Sequence, residues 1–222
     1  MKHVYQILLV AAVLMMAPAG MSAQIYDNLR PPTRTTRPTT PPKKKPAKKK
    51  WAFQDSYSEG LALVEDDNGK RGFIDKTGKL VIPCEWKVAW NFSEGLAVVQ
   101  DNNGKWGFID KTGQIVIPCK WKFVNSFFEG LAKVQDDNGK YGFIDKTGNV
   151  VIPCQWRDAN SFTEGLAGVQ DNNRKWGFID KTGQVVLPCQ WKNVWFFSGG
   201  VARVQDDNEE WHDINKTGKI VK

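Results

Sequence analysis

Histidine is scarce in this sequence, and its scarcity limits the chemistry that the chain can support. Only 2 histidines occur among 222 residues, and one of them, His3, lies near the N-terminus. A nucleophile activated by histidine, or a zinc site rich in histidine, needs that residue beside serine, cysteine or carboxylate groups at suitable spacing. With His212 as the one histidine in the rest of the chain, the sequence predicts no enzyme, no metal site and no cofactor.

Residues 4–16, near the N-terminus, are predominantly apolar, and no other long apolar run follows in the chain. Lys2 and His3 precede this run and small residues follow it up to Ala23, as in a secretory signal peptide. The run is shorter than the ~20 residues that cross a bilayer, so we expect cleavage, after Ala19 or Ala23, rather than a transmembrane segment. Residues 1–23 therefore predict export to the periplasm, the cell surface or the surroundings of the cell.

Apolar residues are nearly absent from residues 24–50, which are rich in proline, threonine and lysine. Such a segment cannot bury enough surface to fold, so we expect a disordered, extended tether. It carries nine Lys and Arg against Asp27 alone, and Lys2 adds one more positive charge. Within the net charge of +7, residues 51–222 therefore carry −2.

The basic tether allows two interpretations. It is either a solubilising linker or a contact for an anionic surface, such as lipid headgroups or envelope polymers. A signal peptide conflicts with a nuclear role for the lysine run, so no nucleic-acid partner is expected.

A unit of 35 residues repeats along the rest of the chain without insertion. Glu-Gly-Leu-Ala begins at Glu59, Glu94, Glu129 and Glu164, and Gly-Phe-Ile-Asp-Lys-Thr-Gly begins at Gly72, Gly107, Gly142 and Gly177. Trp51 is in register with a Trp in every later unit, which defines the units 51–85, 86–120, 121–155, 156–190 and 191–222. A fixed period of this length is typical of stacked or radially repeated folds.

Each unit is predicted to be an antiparallel meander of three short strands, which makes the fold class all-β. In the second unit the strands cover residues 96–100, 105–110 and 115–117, where β-branched or alternating residues dominate. The first and second strands are each followed by Asp and Gly at the spacing of a type I turn with a G1 bulge. Asn103-Gly104 also suits a type I′ turn. Pro118 is expected to end the third strand, because proline cannot donate a ladder hydrogen bond.

The five copies keep one side of a strand constant and vary the other. Alanine and valine recur two residues apart, as at Ala97 and Val99. The position between them is expected to face solvent, and it holds Leu63, Val98, Lys133, Gly168 and Arg203. This alternation is the pattern of a sheet with one buried face and one exposed face.

The last unit differs from the others at its end. It stops before the Pro-Cys pair, and it holds His212-Asp213 where the other units hold Gly-Phe. A polar residue at that position suits a terminal cap that no further unit covers. We therefore expect an open, solenoid-like stack rather than a closed, propeller-like ring.

The stretch Trp-Gly-Phe-Ile-Asp at residues 106–110, with Gly-Leu-Ala before it and Gly-x-x-Val-Ile-Pro after it, resembles the WG repeat family of bacterial proteins. The resemblance covers residues 51–222, with Trp176-Gly177 as a second full match and Trp211-His212 as a departure. It implies an all-β repeat array used for binding in a bacterium. It implies no common ligand or reaction, and no catalytic residues to transfer.

The four cysteines occupy one repeat position, at Cys84, Cys119, Cys154 and Cys189. In an exported chain this pattern suggests two disulfides. A disulfide needs Cα atoms within about 4.4–6.8 Å, whereas equivalent positions in sheets packed face to face lie ~10 Å apart. Buried thiols are therefore favoured, although a tightly coiled array would leave disulfides possible.

Tryptophan is abundant, with 10 residues, and most of them hold fixed repeat positions. An aromatic residue that recurs in register is more often packing than a ligand platform, so a structural role is predicted for Trp86, Trp106, Trp121, Trp156, Trp176 and Trp191. Trp90 and Trp195 stand where other units hold Asp or Asn, so no structural demand explains them. Together with Phe196 and Phe197, they are the predicted binding residues.

These features predict an exported, non-catalytic scaffold that presents an extended surface to a protein or peptide partner. The alternative is a carbohydrate-binding protein of the cell envelope, in which exposed tryptophans stack on sugar rings. Aromatic side chains free along a groove favour sugars, whereas a flat variable surface over buried tryptophans favours a protein. Paired carboxylates could serve a glycosidase, but the repeated glutamates would then imply several equivalent active sites.

Overall fold

The computed structural model describes residues 50–221, which contain strands and turns. The predicted signal peptide and residues 24–49 of the predicted tether lie outside the described residues. Within residues 50–221, no helix has the length and apolar character needed to cross a membrane.

The described strands form five antiparallel sheets, four of four strands and a last one of three, always in chain order. The first sheet contains β1 (Phe53–Ser58), β2 (Leu61–Glu65), β3 (Arg71–Asp75) and β4 (Leu80–Trp86). The second contains β5 (Val88–Ala89), β6 (Ala97–Gln100), β7 (Trp106–Ile109) and β8 (Ile115–Trp121). The third contains β9 (Phe123–Val124), β10 (Ala132–Gln135), β11 (Tyr141–Ile144) and β12 (Val150–Trp156). The fourth contains β13 (Asp158–Ala159), β14 (Leu166–Gln170), β15 (Trp176–Asp180) and β16 (Val185–Trp191), and the fifth contains β17 (Asn193–Val194), β18 (Val201–Gln205) and β19 (Trp211–Asn215).

The tandem all-β array is confirmed, and a short edge strand precedes the three predicted strands of each interior sheet. In the second sheet this strand is β5, and the hairpin from β5 to β6 has Glu94-Gly95 at its tip, with φ of 52° and 90°. The N–H of Ser93 donates to the carbonyl of Leu96 at 2.9 Å. A two-residue tip with positive φ at both positions is the type I′ hairpin turn, so the Glu-Gly-Leu-Ala motif encodes a hairpin.

The two Asp-to-Gly turns of each unit have the predicted conformation. In the second sheet, Gly104 and Gly113 have φ of 80° and 87°. Each glycine N–H donates to the carbonyl of the Asp three residues earlier, Asp101 or Asp110, at 3.2 and 3.0 Å. The type I turn with a bulged glycine is therefore confirmed in both hairpins.

The glycine of the Trp-Gly pair is required by the close approach of the fourth strand. A Cβ atom on Gly107 would lie 2.5 Å from the carbonyl oxygen of Ile117, where the register of β7 and β8 shifts. β8 continues through Pro118 to Trp121, so the prediction that proline ends this strand is wrong. Because β8 is the edge of its sheet, a residue without an N–H is tolerated there.

Neighbouring sheets pack face to face and share an apolar core at each of the four junctions. Between the second and third sheets, Phe108 packs on Phe127 with ring centroids 4.8 Å apart, and Ile117 and Trp121 are buried beside them. Equivalent Phe pairs lie at the other three junctions. The stability of such an array is close to a sum over units and junctions.

The prediction of one exposed face per sheet is wrong. Leu63 and Val98, at the variable position, are 4% and 1% exposed because they pack in the junction with the next sheet. Lys133 reaches across the third junction, where its Nζ donates to the carbonyl of Ala159 at 2.6 Å. Of the five residues at this position, Arg203 alone is exposed. Both faces of an interior sheet are covered, so the residue at this position packs against the neighbouring sheet instead of facing solvent.

The outer face of the fifth sheet is polar, as the cap hypothesis requires. Arg203 and Asp213 lie opposite one another on β18 and β19, with the Arg203 Nε 2.9 Å from the Asp213 carboxylate. They occupy the repeat positions of Leu63 and Phe73, which are buried in the first junction. The five sheets thus form an open stack that ends in an ion pair.

No disulfide joins any two of the four cysteines. Cys119, Cys154 and Cys189 are half-buried and pack against the junction cores. Burial, together with the nearby carboxylate of Asp101, raises the pKa of the Cys119 thiol to about 11. The four cysteines are thiols in this structure.

Candidate functional site

The recurrent glutamates join neighbouring sheets. The Glu59 carboxylate of the first sheet accepts the N–H of Gly95 in the second sheet at 3.1 Å and lies 3.0 Å from the Lys111 Nζ. Burial raises the pKa of Glu59, but the hydrogen bonds from Lys111 and Gly95 outweigh burial and lower it overall. The same contacts recur at Glu94, Glu129 and Glu164. This structural role accounts for a carboxylate in every unit but the last.

A second row of contacts connects the turns between the second and third strands of each unit. Lys70 donates to the Asn102 side chain of the next sheet, and equivalent contacts are made by Lys105, Lys140 and Lys175. In the fifth sheet, Gly199 stands at the repeat position of Glu59, and Glu210 stands at the repeat position of Lys70. Many of the charged side chains of the array therefore hold neighbouring sheets together.

Asp206, Glu210 and His212 form a group of potential metal ligands within 4.8 Å of one another. The Asp206 carboxylate accepts the backbone N–H of Glu210 at 2.9 Å and contacts the His212 Nε2 at 3.0 Å. The hydrogen bond with His212 lowers the pKa of Asp206. These contacts stabilise the turn between β18 and β19, and this structural role explains why the three residues lie close together.

Two of the predicted binding residues form an exposed aromatic surface on the fifth sheet. Trp195 and Phe196 follow β17 and are 56% and 59% exposed. Trp195 lies 5.7 Å from Trp211, and the Arg203 guanidinium lies 5.8 Å from the centre of the Trp195 ring. Aromatic and cation–π contacts of this kind hold a surface ring in one position.

Phe197 does not belong to this surface. It is 1% exposed and packs on Phe178, with ring centroids 4.9 Å apart, in the core between the fourth and fifth sheets. Assigning Phe197 to a binding patch is therefore wrong. The recurrence of phenylalanine at its repeat position was the signal available in the sequence, at Phe92, Phe127, Phe162 and Phe197.

Trp90 lies at a different junction from Trp195. It is half-buried, with Trp106 at 5.4 Å and Phe123 of the third sheet at 6.3 Å. The six tryptophans with a predicted structural role also pack in the junctions. Trp86 and Trp121 are 8% and 7% exposed, and the partly buried members of the set are Trp106, Trp156, Trp176 and Trp191.

A groove of 450 Å³ opens between the fourth and fifth sheets. Its walls carry aromatic and aliphatic groups from the fifth sheet, and amide and hydroxyl groups from the fourth, without a charged side chain. The lining residues are Asn160, Ser161, Thr163, Val194, Trp195 and Phe196.

A row of exposed aliphatic side chains crosses the five sheets and is here named the aliphatic row. Each fourth strand begins with two of these residues, and Ile220 continues the row beyond β19. Their side chains are 37–55% exposed, at Leu80, Val81, Ile115, Val116, Val150, Val151, Val185, Val186 and Ile220. This row was missed from the sequence alone. Its signal was two consecutive aliphatic positions in every unit, which a strand with one buried face does not require.

The repeated unit that carries these surfaces matches a family model described as WG containing repeat, at residues 72–106, 106–141, 141–174 and 176–209. The chain belongs to the WG repeat family. The matches cover more than half of the 222 residues. No curated protein matches the sequence of this WG repeat protein.

Several solved structures are distantly similar to this WG repeat protein. The computationally designed Ika8 protein shares 12% identity, with 75% of this chain and 59% of that chain covered and a TM-score of 0.48. BamB from Moraxella catarrhalis shares 12% identity, with 75% and 61% covered and a TM-score of 0.42. The WD40 β-propeller domain of Doa1 shares 11% identity, with 78% and 69% covered and a TM-score of 0.41. The WG repeat chain thus spans less than two thirds of the first two, and likenesses at these TM-scores say nothing about its function.

Proposed function

We propose that this WG repeat protein is an exported, non-catalytic scaffold whose aliphatic row binds a protein or peptide partner. The observation that carries the proposal is the row itself, which repeats an apolar pair at each fourth strand with side chains up to 55% exposed. Exposed apolar side chains that recur in this way often mark an interaction site. A repeat array suits this task, because each unit adds an equivalent contact along an extended surface.

The chemistry of the row favours a protein over a sugar. Leu, Ile and Val side chains offer no hydrogen bonds, so sugar hydroxyl groups placed against them would lose water without replacement. The row also favours side-chain contacts over strand addition. Each fourth strand contains a proline, which lacks the N–H needed to pair with an added strand, at Pro83, Pro118, Pro153 and Pro188. A partner with an apolar face can cover the row without such pairing.

Export of the scaffold is supported by the sequence of residues 1–23, which has the features of a signal peptide. The basic residues that follow, within residues 24–50, would suit contact with an anionic surface of the envelope. The non-catalytic assignment is supported by the glutamates, whose carboxylates hold neighbouring sheets together.

The test is quantitative capture of envelope proteins by the purified protein and by a row variant that combines Ile115→Lys, Val150→Lys and Val185→Lys. These side chains are 49–55% exposed, so the variant is expected to fold, which circular dichroism checks. Phe53→Lys is the matched control, because Phe53 is 47% exposed and lies outside the row. We expect the row variant to lose at least tenfold in captured partner while the control retains it. Equal capture by all three proteins would overturn the proposal.

A carbohydrate ligand is the second candidate, and one specific observation favours it. The groove between the fourth and fifth sheets combines exposed aromatic rings with uncharged polar groups, which the aliphatic row does not.

A further inference from the structure

We propose that the groove between the fourth and fifth sheets binds a neutral saccharide, at a site separate from the aliphatic row. The inference does not depend on a protein partner, because the residues of the groove and of the row do not overlap. This junction differs from the first and third junctions of the same array, which carry a polar bridge at the place where the groove opens.

Two other junctions are closed by a polar bridge at the corresponding place. At the first junction the Asn91 Nδ2 donates to the Asp55 carboxylate at 2.9 Å, and at the third the Asn125 Nδ2 donates to the Ser161 Oγ at 3.4 Å. At the fourth junction the equivalent residues are Asn160 and Phe196. Phenylalanine offers no acceptor, so the bridge is lost and the Asn160 side chain has no hydrogen-bond partner among residues 50–221.

A second departure from the repeat pattern meets the first at this junction. Gly168 holds the position of Leu63, Val98 and Lys133, whose side chains extend into the earlier junctions. A Cβ atom on Gly168 would lie 3.0 Å from the Asn160 Nδ2 and 2.9 Å from Val194. The absence of a side chain at Gly168 therefore lets Val194 and the unpaired Asn160 amide pack closely against β14, in place of the larger residue that the earlier units hold here.

The chemistry of the opened groove fits a sugar ring. A pyranose has a face of C–H groups, which packs on the electron-rich face of an aromatic ring such as Phe196 or Trp195. Its hydroxyl groups both donate and accept, which matches the Asn160 amide and the Ser161 hydroxyl. No charged side chain lines the groove, so a neutral saccharide is favoured over an anionic one.

The size of the groove also fits this ligand class. Its volume of 450 Å³ lies within the ~300–1,000 Å³ range of small-molecule sites, with room for one or two sugar rings. An apolar peptide side chain could also pack on Phe196, but it would leave the Asn160 amide without a partner, which costs binding free energy.

The experiment titrates the purified protein with maltose, cellobiose and N,N′-diacetylchitobiose, followed by saturation-transfer NMR and intrinsic fluorescence. The groove variant combines Trp195→Asn and Phe196→Ser, which restore residues that other units hold at these positions and so keep the fold. Phe53→Ser is the matched control on the first sheet. We expect at least one disaccharide to bind, and the groove variant to weaken its affinity at least tenfold while the control leaves it unchanged.

Three outcomes would overturn the proposal. The first is that none of the three disaccharides binds, and the second is that the groove variant binds as tightly as the unaltered protein. The third is that the protein prefers the anionic polymer polygalacturonate to the neutral disaccharides. Displacement of a bound disaccharide by an apolar peptide, with loss of that peptide's binding in the Phe196→Ser variant, would assign the groove to a peptide instead. The row variant with three lysines should bind the disaccharide as the unaltered protein does, which separates this test from that of the protein-binding proposal.

Discussion

The carboxylate of Glu59 accepts the backbone N–H of Gly95 at 3.1 Å, and this hydrogen bond joins the hairpin tips of two successive sheets across 36 residues of sequence. Lys111, in another turn of the second sheet, completes the contact at 3.0 Å from the same carboxylate. Because the arrangement recurs at every junction, the stack is held by charge at its hairpin tips as well as by apolar packing at its centre.

The array should lose stability as the solution becomes acidic. Folding lowers the pKa of Glu59, Glu129 and Glu164 below the ordinary value of 4.5. A carboxylate with a lowered pKa contributes stability that is fully present above its unfolded value and lost as pH falls through the folded value. Denaturant midpoints measured from pH 7 to pH 3 should therefore fall mainly below about pH 5.

A variant that combines Glu59→Gln, Glu129→Gln and Glu164→Gln tests the origin of this acid sensitivity. We expect a lower midpoint than the unaltered protein at pH 7 and a smaller fall towards pH 3. The turn residues Asp75 and Asp110 also have carboxyl groups with lowered pKa values. The variant should therefore keep part of the decrease in denaturant midpoint between pH 7 and pH 3. An unchanged midpoint together with an unchanged slope would show that the glutamate contacts do not stabilise the stack.

The Trp-Gly pair should be intolerant of a side chain at its glycine. A Cβ on Gly142 would lie 2.4 Å from the carbonyl oxygen of Ile152, so Gly142→Ala should destabilise the array by about 1–3 kcal/mol through overpacking. His212 holds the same repeat position in the fifth sheet, which has no fourth strand, and His212→Ala should cost less than about 1 kcal/mol. Urea denaturation measures both, and equal losses would contradict the close approach.

The interior tryptophan Trp121 should contribute more stability than Trp51, its counterpart in the first unit. Trp121 is 7% exposed in the core between two sheets, so Trp121→Ala should cost about 3–5 kcal/mol. Trp51 is half-buried against a smaller apolar cluster, so Trp51→Ala should cost less. Equal shifts in the denaturant midpoint would count against an open stack, in which end units lack one neighbour.

The Cys119 thiol should react slowly in the folded protein. Its pKa is raised to about 11 by burial and by Asp101, so the reactive thiolate is rare near neutral pH. Alkylation with iodoacetamide at pH 8, followed by mass spectrometry, should label Cys119 at least tenfold more slowly than in the unfolded chain. Labelling at the same rate in folded and unfolded protein would contradict the burial of this thiol.

Local sequence predicted the parts of the fold that depend on local chemistry. The turns around Gly104 and Gly113 follow from an Asp acceptor and a glycine at positive φ, and both form as expected. The face-to-face stack could not be predicted in the same way, because it depends on contacts between units. Val98 was therefore expected in solvent, although its side chain is covered by the next sheet.

The candidate site shows the same limit. Trp195 and Phe196 were found as departures from the repeat pattern, and the structure exposes both. Phe197 was misassigned by its neighbours in sequence, although its recurrence in the other units marks it as a core residue. The opening of the groove depends on the loss of a bridge to Asn160, 36 residues away from Phe196, which no local pattern displays.

Site-specific photo-crosslinking tests the binding role of the aliphatic row most directly. A photoreactive phenylalanine at Ile115 or Val185, both more than half exposed, should give the same crosslinked partner protein in cells, because both positions belong to the row that is proposed to bind it. The same group at Phe53, which is 47% exposed but outside the row, should give none. A partner crosslinked from Phe53 but from neither row position would contradict the proposed surface.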